Sequence, residues 1–358
     1  MCGIVGVFDR RDRRTLPDSI LDAMTDRLAH RGPDGRGTWN RPGIALGHRR
    51  LSIIDLTRGE QPMPSADGRY QIAFNGEIYN FRDLKAELEG MGHAFRYDSD
   101  TEVLIEAYRA WGPKCLERLV GMFAFAIWDE AERTLFLARD RFGVKPLYLA
   151  HLPDGRTLFA SEMKALLAFP NLSRDVDPRA VEDYFAYGYV PDDKSFLAAV
   201  TKLPPAHYLV LKADATPSPV RYWDLAFRAQ HRGTAKALER QLLDRLEAAV
   251  GSRMVADVEV AAFLSGGVDS SAVVALMAGI SERQVKSLSI GFDAGGFDET
   301  LHAAAVAQRY ATDHHTRQVT ADDHGLIETL GRAFDEPFAD ASALPTYRVC
   351  ELAREHVK

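Results

Sequence analysis

The sequence has few cysteines, and this scarcity limits the class of protein. Only three occur among 358 residues, Cys2, Cys115 and Cys350, and none forms a C-x-x-C pair. An odd number of scattered cysteines argues against a disulfide framework and against a cysteine-based zinc site. A reducing, cytoplasmic compartment is therefore the expected location.

An excess of positive charge and long apolar runs are also absent. The chain carries 44 Lys and Arg against 51 Asp and Glu, a formal charge of −7, whereas nucleic-acid binding needs a clustered basic face. The apolar run 120–128 is far shorter than the ~20 residues that a membrane span needs. The apolar start ends at Phe8, too early for a signal-peptide core. Neither a nucleic-acid partner nor membrane insertion is expected.

The residue with the most chemistry to offer is Cys2, which follows the initiator Met1. Removal of Met1 would leave the thiol and a free α-amino group on one residue. Because that amine titrates near ~8, it can serve as general base for the adjacent nucleophile. Alone the signal is weak, since a small apolar residue at the start of a strand explains Cys2 equally well.

The first half of the sequence predicts a layered α+β domain. Aromatic and β-branched residues mark its strands, and turn residues bound its helices, with Asn80 as an N-cap. The predicted elements are strand 70–79, helix 80–90, helix 101–111, strand 120–128, a hairpin-like strand pair at 134–138 and 146–150, and a helix that begins at Asp177-Pro178.

The proline-rich segment 189–222 has no long periodic stretch and is interpreted as a connecting arm rather than core. The first domain is therefore expected to cover residues 2–213, with this arm included. A second domain is expected over residues 235–358.

The second half alternates helix and strand, which predicts an α/β open parallel sheet with right-handed crossovers. Its three predicted strands make a thin sheet, and the sequence ends where a fourth would begin, so this domain is expected to be partial. The predicted elements are a helix with a stripe at Leu238, Leu242 and Leu246, strand 258–264, helix 270–278, strand 285–292, helix 299–311, strand 314–319, and helices 322–334 and 343–356.

A glycine-rich run, Ser265-Gly266-Gly267-Val268-Asp269-Ser270-Ser271, joins the first of these strands to a helix. Glycine permits a tight turn and a close approach to a ligand, and a helix N-terminus offers unpaired N–H groups to an anion. The serines add donors, and Asp269 could hold a magnesium ion that neutralises phosphate. The run is not a Walker A loop, and the bland alternative is an ordinary strand–helix turn.

These segments resemble two known modules. The run 265–271 is similar to the pyrophosphate-binding loop of the ATP pyrophosphatases. The first half resembles the class II, N-terminal-nucleophile (Ntn) glutamine amidotransferases, which implies an αββα fold like that of the Ntn hydrolases. The matching segments of the first half are 2–4, 30–34, 49–55, 75–80, 99–102 and 139–148.

Together the two modules resemble the glutamine-hydrolysing asparagine synthetases over the whole chain. The segments 184–191 and 202–205 are closer in character to synthetase-like proteins of exopolysaccharide and exosortase systems. The resemblance implies glutamine hydrolysis and ATP-dependent amidation of aspartate to asparagine through β-aspartyl-AMP, with release of AMP and pyrophosphate. The implied cofactors are ATP and Mg²⁺, and a homodimer is compatible with the family.

The resemblance also implies roles for residues of the first half. Cys2 is the nucleophile, and the Asn75 side chain with the Gly76 N–H forms the oxyanion hole. Arg50 would clamp the glutamine carboxylate and Asp100 its ammonium group, although a surface ion pair and a helix cap are the bland alternatives. The implied glutamine-binding residues are Arg50, Leu51, Ser52, Ile53, Ile54, Asn75, Gly76, Glu77 and Asp100.

In the second half the resemblance places phosphates and magnesium on the glycine-rich run, and adenosine at the ends of two strands. Asp269 is the implied metal ligand, and Met122, in the first half, is a candidate for an apolar ammonia passage. The paired His314 and His315 are interpreted as structural. The implied ATP-binding residues are Leu264, Ser265, Gly266, Gly267, Asp269, Ser270 and Ile290.

Two alternatives stay open on the sequence. The ammonia could serve another acceptor, such as a sugar carboxylate in exopolysaccharide assembly, or the chain could be a non-catalytic binding or regulatory protein. Family members continue beyond residue 358 with an acidic, glycine-rich loop, so the chain is expected to be a fragment or a truncated paralogue. We therefore expect it to hydrolyse glutamine and to make little asparagine.

Overall fold

The structure, a computed structural model, describes residues 1–213, 217–228, 232–293, 298–320 and 324–358. The chain divides into two units. The first comprises Met1–Leu225 with Asp335–Ala339, and the second comprises Ala226–Phe334 with Asp340–Lys358. Among the described residues, no helix has the length and hydropathy needed to cross a lipid bilayer.

Two six-stranded antiparallel sheets build the first unit, here called the first and the second sheet. The strand order is β10-β8-β9-β1-β3-β2 in the first sheet and β12-β11-β7-β6-β5-β4 in the second. The strands are β1 (Gly3–Asp9), β2 (Gly35–Arg41), β3 (Ile44–Arg50), β4 (Met63–Pro64), β5 (Tyr70–Ile78), β6 (Gly121–Asp129), β7 (Thr134–Arg139), β8 (Tyr148–His151), β9 (Arg156–Ala160), β10 (Thr201–Lys202), β11 (His207–Leu211) and β12 (Val220–Arg221).

The helices of this unit cover the outer faces of the two sheets. Helices α1 and α5 pack on the first sheet, and α3 packs on β5 of the second sheet with α2 beside it. The unit is therefore layered αββα, as predicted. The helices are α1 (Asp18–Asp26), α2 (Phe81–Gly90), α3 (Asp100–Trp111), α4 (Cys115–Arg118), α5 (Met163–Leu166) and α6 (Pro178–Tyr187).

Side-chain alternation on β1 explains why both faces of the first sheet are covered. Ile4 and Phe8 belong to the core between the two sheets, whereas Val5 and Val7 belong to the core beneath α1 and α5. Successive side chains of a strand point to opposite faces, so a run of apolar residues is buried on both sides. Strand β1 is therefore packed on both faces, and Cys2 directly precedes it.

The predicted hairpin at 134–138 and 146–150 is wrong. Strand β7 pairs with β6 and β11 in the second sheet, whereas β8 pairs with β9 and β10 in the first. Polar side chains stabilise the crossing between the sheets. The Asp140 carboxylate accepts backbone N–H groups, including that of Phe123 at 3.1 Å, and the Arg139 guanidinium donates to the carbonyl of Leu203 at 2.8 Å.

Part of the expected connecting arm is core. Strand β10 extends the first sheet, and β11 and β12 extend the second. Leu203, Leu209 and Leu211 are buried between the sheets. Of the prolines that suggested a linker, Pro204 and Pro205 lie between β10 and β11, Pro217 and Pro219 lie between β11 and β12, and Pro191 precedes β10.

In the second unit a three-stranded parallel sheet, ordered β13-β14-β15, carries helices as predicted. The first strand is shorter than the expected 258–264. Of the predicted helix 322–334, residues 322–323 lie outside the described residues. The elements are α7 (Ala235–Arg253), β13 (Ala261–Phe263), α8 (Val268–Ile280), β14 (Lys286–Phe292), α9 (Thr300–Arg309), β15 (Asp313–Val319), α10 (Ile327–Ala333) and α11 (Ala343–His356).

Candidate active site

Cys2 lies at the start of β1, beside the point where β3 ends. Gly3 pairs with Arg49 across these strands. The Leu51 N–H lies 3.4 Å from the Cys2 Sγ atom, which is itself 3.6 Å from the Leu51 carbonyl oxygen. The strand pairing and these contacts hold the thiol in one place at the edge of the first sheet.

Burial changes the protonation chemistry at this end of the chain. It raises the pKa of the Cys2 thiol, which is therefore protonated near neutral pH and needs a base before it can attack. Burial also lowers the pKa of the Met1 α-amino group to about 6. The Met1 amine is therefore largely neutral at pH 7.

A cavity of about 240 Å³ opens beside the thiol. It is lined by residues from the ends of β1, β3 and β5, from the loop after β3 and from the start of α3. Elements far apart in sequence thus bring nearly all the residues implied for glutamine binding to one place. Those that line the cavity with Cys2 are Arg50, Leu51, Ile53, Ile54, Asn75, Gly76, Glu77 and Asp100.

The Asn75 side chain lines this cavity from β5. The residue is fully buried, and its Oδ1 and Nδ2 atoms have no hydrogen-bond partner within the part of the chain that the structure describes. A buried polar group without a partner costs about 1–3 kcal/mol of stability. A ligand oxygen that accepts from Nδ2 would recover this loss, so Asn75 has the properties of an oxyanion-hole donor.

Gly76 follows at a position where no other residue fits. A Cβ atom there would lie 2.2 Å from the Met122 carbonyl oxygen and 2.8 Å from the Cα of Phe123. The neighbouring strand β6 makes both contacts, and its backbone cannot move away cheaply. Glycine therefore lets β5 and β6 pair closely at the cavity wall.

Arg50 ends β3 at the cavity. Its guanidinium donates to the Ile54 carbonyl at 3.1 Å and also to that of Asp55. These bonds fold the side chain against the loop 54–56 and keep a positive charge at the cavity wall. The surface ion pair considered from the sequence is not what holds Arg50 here.

Asp100 supplies the opposite charge. It is the first residue of α3, and the cap of that helix is Ser99, whose side chain accepts from the Thr101 N–H. The Asp100 carboxylate accepts from the Ile78 N–H at 3.0 Å, and burial raises its pKa to about 7. A ligand cation beside Asp100 would favour the ionised form.

Ser52 is the one implied glutamine-binding residue that does not line the cavity. It borders a neighbouring cavity of about 380 Å³, which Arg50 and Gln61 also border. Its backbone N–H donates to the Asp34 carboxylate at 2.9 Å. Ser52 therefore fixes the loop after β3 rather than facing the thiol.

Lys145 and Met122 also line the cavity, and no role was predicted for Lys145. Lys145 is 3% exposed, and its Nζ donates to the Met1 Sδ atom at 2.9 Å. Burial lowers the pKa of Lys145 and raises that of Glu77 across the same cavity. The signal for Lys145 was its place within the matched segment 139–148.

A second set of polar residues, also missed from the sequence, supports the nucleophile from behind. Arg31 Nε donates to the Cys2 carbonyl oxygen at 2.8 Å, and Arg31 Nη1 donates to Glu162 at 2.7 Å. His30 Nε2 lies 2.9 Å from the same carboxylate. His30 and Arg31 stood in a matched segment, whereas Glu162 stood in none.

The glycine-rich run of the second unit joins β13 to α8, as predicted. Ser265 and Ser270 face each other with their Oγ atoms 3.0 Å apart, and the Gly267 N–H donates to Ser265 Oγ at 3.2 Å. Gly266 has φ +84°, and a Cβ there would lie 2.6 Å from the Ala303 nitrogen. The loop is therefore a preformed turn in front of a helix N-terminus, which suits an anion.

The remaining implied ATP residues are Leu264, directly after β13, Ile290 on the central strand β14, and Asp269 in α8. Leu264 is buried and donates its N–H to the Leu288 carbonyl at 2.9 Å, and Ile290 lies farther along β14. Asp269 is exposed in the first turn of α8. One carboxylate is compatible with Mg²⁺ that arrives on phosphates. Within the described ranges no cluster of three or more His, Cys, Asp or Glu could hold a metal.

Four residues outside the motifs have contacts or burial that bear on the sequence interpretation. His314 bonds to Ser287 Oγ at 2.8 Å, and His315 Nε2 lies 3.1 Å from an Asp313 carboxylate oxygen, in agreement with the structural interpretation. Cys115 and Cys350 carry no motif in the sequence, which predicts that both are buried small apolar residues. Cys115 is buried, whereas Cys350 is exposed, so that prediction is wrong for Cys350.

Comparison with known proteins gives matches to both halves. A glutamine amidotransferase domain model matches residues 1–223, and an asparagine synthase model matches residues 241–358. The αββα layers of the first unit and the parallel sheet of the second confirm the predicted fold classes.

The curated relatives span the whole of this chain. Asparagine synthetase (glutamine-hydrolyzing) 1 of Bacillus subtilis is 36% identical over 360 residues, which are 100% of this chain and 56% of that protein. A putative asparagine synthetase of Mycobacterium tuberculosis is 38% identical and is covered to 58%. Putative asparagine synthetase 2 of Methanocaldococcus jannaschii is 35% identical and is covered to 72%. The chain thus spans little more than half the length of the first two relatives.

Proposed function

Because this chain belongs to the family of glutamine-hydrolysing asparagine synthetases, we propose that Cys2 hydrolyses glutamine and that the ammonia amidates aspartate at the expense of ATP. The observation that carries the proposal is the cavity beside Cys2. It combines a thiol, an unpaired buried amide at Asn75, a cation at Arg50 and an anion at Asp100. Glutamine has a side-chain amide for the thiol and Asn75, an α-carboxylate for Arg50 and an α-ammonium group for Asp100.

In the first step the Cys2 sulfur attacks the side-chain amide carbon of glutamine. The thiol proton passes to the α-amine of Cys2, which becomes free once Met1 is removed. The tetrahedral oxyanion is stabilised by Asn75 Nδ2 and by the Gly76 N–H. The carbon–nitrogen bond then breaks, the amine returns its proton to the leaving group, and ammonia departs from a thioester.

Water completes the glutaminase reaction. The same α-amine takes a proton from water, which attacks the thioester carbon. Glutamate leaves, and the sulfur regains a proton. Burial keeps the thiol protonated at rest, so the attack needs a base, and no histidine lines the cavity among the described residues; the α-amine is the base carried by Cys2 itself.

Recognition of glutamine rests on two opposite charges. Arg50 would exchange its bonds to backbone carbonyls for a bidentate pair with the α-carboxylate. Asp100 would pair with the α-ammonium group. A ligand that lacks either charge would leave one of these residues uncompensated in the cavity.

In the second unit we place ATP on the run from Leu264 to Ser270 and on Ile290. The Gly266 turn, the serine hydroxyls and the N-terminus of α8 would hold the phosphates. Asp269 would hold Mg²⁺, which offsets phosphate charge when bound. Aspartate oxygen attacks the α-phosphorus and pyrophosphate leaves; ammonia then attacks the acyl carbon and AMP leaves.

The test is one reaction with glutamine, aspartate, ATP and magnesium in which glutamate, AMP and asparagine are all quantified. Cys2→Ala is the paired variant, with ammonium chloride as an alternative nitrogen source. We expect the variant to lose glutamate release, while any ammonia-dependent product formation persists. Glutamate release that survives in Cys2→Ala would refute the assigned nucleophile.

Two further readouts separate the alternatives. An intact-mass spectrum shows whether Met1 is removed; a retained Met1 would favour a non-catalytic binding protein, since the blocked Cys2 has no free amine. Formation of glutamate and AMP without asparagine would indicate that the ammonia serves a carboxylate acceptor other than aspartate.

A further inference from the structure

Five residues of the first unit, Asp335–Ala339, come from the C-terminal part of the chain. In sequence they lie between α10 and α11 of the second unit. The Ala339 N–H donates to the Gly188 carbonyl at 2.8 Å, and the carboxylates of Asp335 and Glu336 both reach buried partners. The sequence alone gave this segment no role.

Asp335 is the first link of a chain of polar contacts. Its side chain is 7% exposed and lies 3.2 Å from Lys164 Nζ, and it also accepts from the Met163 N–H. Lys164 Nζ is in turn 2.8 Å from a Glu162 carboxylate oxygen. One ammonium group is thus shared between two carboxylates.

The chain of contacts continues to the nucleophile. Glu162 accepts from Arg31 Nη1 at 2.7 Å, and Arg31 Nε donates to the Cys2 carbonyl oxygen at 2.8 Å. The side chains of Arg31 and Glu162 are 9% and 11% exposed. Contacts of 3.2 Å or less therefore connect Asp335 to the backbone of Cys2, through Lys164, which is 24% exposed, and through two nearly buried side chains.

We propose that Asp335 is a positioning residue for the glutaminase reaction, which acts through Lys164, Glu162 and Arg31 on the backbone of Cys2. This inference rests on the proposed function of Cys2. It implies that the nucleophile is held in full register only while the segment Asp335–Ala339 is seated in the first unit.

Charge sharing gives the physical reason. While Asp335 is ionised and in place, Lys164 divides its charge between two carboxylates, and Glu162 keeps charge for Arg31. Without that carboxylate, more of the Lys164 charge would fall on Glu162 and weaken the hold of Glu162 on Arg31. Arg31 and Glu162 are nearly buried, so water screens such a change less than it would at the surface, although the Lys164 side chain is 24% exposed.

The chain on both sides of the segment belongs to the second unit. Asp335 follows the end of α10 by two residues, and α11, which begins at Ala343, packs on β14 and β15.

Glu336 provides an internal comparison. It accepts from the Phe196 N–H at 2.8 Å and from Lys202 Nζ at 2.6 Å, whereas Asp335 contacts Met163 and Lys164. Loss of Glu336 loosens the segment while leaving the contacts of Asp335 in place. Its substitution should therefore have a smaller effect on Cys2 than substitution of Asp335.

The test compares Asp335→Asn with Asp340→Asn in the full chain. Asp340 is an exposed carboxylate five residues away that accepts from the neighbouring Ser342, whose N–H lies at 2.8 Å. We expect Asp335→Asn to lower kcat for glutamate release roughly tenfold with KM within about twofold, since Arg50 and Asp100 are untouched. Asp340→Asn should match the unchanged chain, and Asp335→Glu should recover part of the loss.

A double-mutant cycle tests the route. If Asp335 acts through Lys164, the double variant Asp335→Asn/Lys164→Met loses no more activity than the stronger single variant. Effects that multiply would show independent actions and would overturn the proposed route.

Hydrogen exchange separates this inference from the proposed function, because it needs no turnover. We expect Asp335→Asn to speed amide exchange in residues 2–8 about tenfold, without a change in β6. Exchange in residues 2–8 that equals that of the unchanged chain would overturn the inference, whatever the activity. An unchanged chain that releases no glutamate would overturn the proposed function alone, since exchange still decides the role of Asp335.

Discussion

Among single residues, Asn75 and Asp100 are the ones whose burial makes least sense without a ligand. Asn75 has an amide with no partner among the described residues, and Asp100 has a carboxyl group whose pKa burial raises to about 7. Both reduce the stability of the empty protein. Each would be compensated by a different part of glutamine, which ties their burial to binding.

Substitution of Asn75 tests the oxyanion hole. We expect Asn75→Ala to lower kcat for glutamate release about 10²-fold with little change in KM, because the donor acts mainly on the tetrahedral intermediate. Asn80→Ala is the matched control. Its amide bonds to the Arg118 carbonyl and the Val120 N–H away from the cavity, so it should affect stability and spare kcat. Equal losses in both variants would contradict the role of Asn75.

The Asp100 carboxyl predicts a pH-dependent affinity. An ammonium ligand needs the ionised form, and with a pKa of about 7 this form declines as pH falls below neutrality. In Cys2→Ala, where glutamine is not consumed, calorimetry should show a Kd about tenfold higher at pH 6 than at pH 8. The double variant Cys2→Ala/Asp100→Asn should bind glutamine more weakly than Cys2→Ala, and its Kd should depend less on pH. A Kd that is the same at both pH values would exclude the assigned ion pair.

The site residues that the sequence could predict are those in segments that match the family in the same order along the chain. Cys2, Asn75, Gly76 and Asp100 lie in matched segments, and the structure brings them to one cavity. Glu162 could not be predicted, because its role depends on its distance from Arg31, which lies 131 residues away in the chain.

At the scale of elements, local sequence patterns predicted where helices and strands lie better than they predicted which strands pair with each other. Strand β7 and strand β8 have the composition and spacing of a hairpin, yet they belong to different sheets. The deciding contacts are made by Asp140 and Arg139 with backbone groups distant in sequence. Such side-chain-to-backbone bonds leave no periodic signal.

The turn before α8 gives a prediction for this scale. Gly266 has φ +84° and no room for a Cβ atom, so Gly266→Ala should distort the phosphate loop and weaken binding of magnesium-ATP by at least roughly tenfold. Isothermal titration measures this directly. Gly279→Ala, in the same helix with nothing within 4 Å of the added atom, should keep the affinity. ATP affinity that survives Gly266→Ala would argue against the loop as the phosphate site.

At the scale of the whole molecule, the polar contacts behind Cys2 contribute to stability as well as to position. Burial opposes the charge on Glu162, but its bonds to His30, Lys164 and Arg31 prevail and lower its pKa to about 2. A folded-state pKa below the unfolded value stabilises the protein above about pH 5, and this stabilisation is lost as pH falls towards 2.

Acid unfolding should reveal that contribution. All four tryptophans lie in the first 225 residues, so their fluorescence reports the unfolding of the first unit. Between pH 7 and pH 3.5 the unchanged chain should lose about 1 kcal/mol more unfolding free energy than Glu162→Gln. Glu89→Gln, at an exposed position of α2, is the control. Identical pH slopes for all three proteins would contradict the assignment.

Two units could be expected from the sequence, because the predicted elements change near residue 235 from a mixed α+β pattern to alternating helix and strand. The Asp335–Ala339 segment was not, because membership in the first unit depends on tertiary contacts that no local pattern encodes.

The measurement that bears most directly on this account is the rate of glutamate release from glutamine, on protein whose N-terminal mass is known, for the unchanged chain beside Cys2→Ala. The account predicts release by protein that begins at Cys2 and a loss of at least about 10³-fold in the variant. Equal release by both proteins would contradict it.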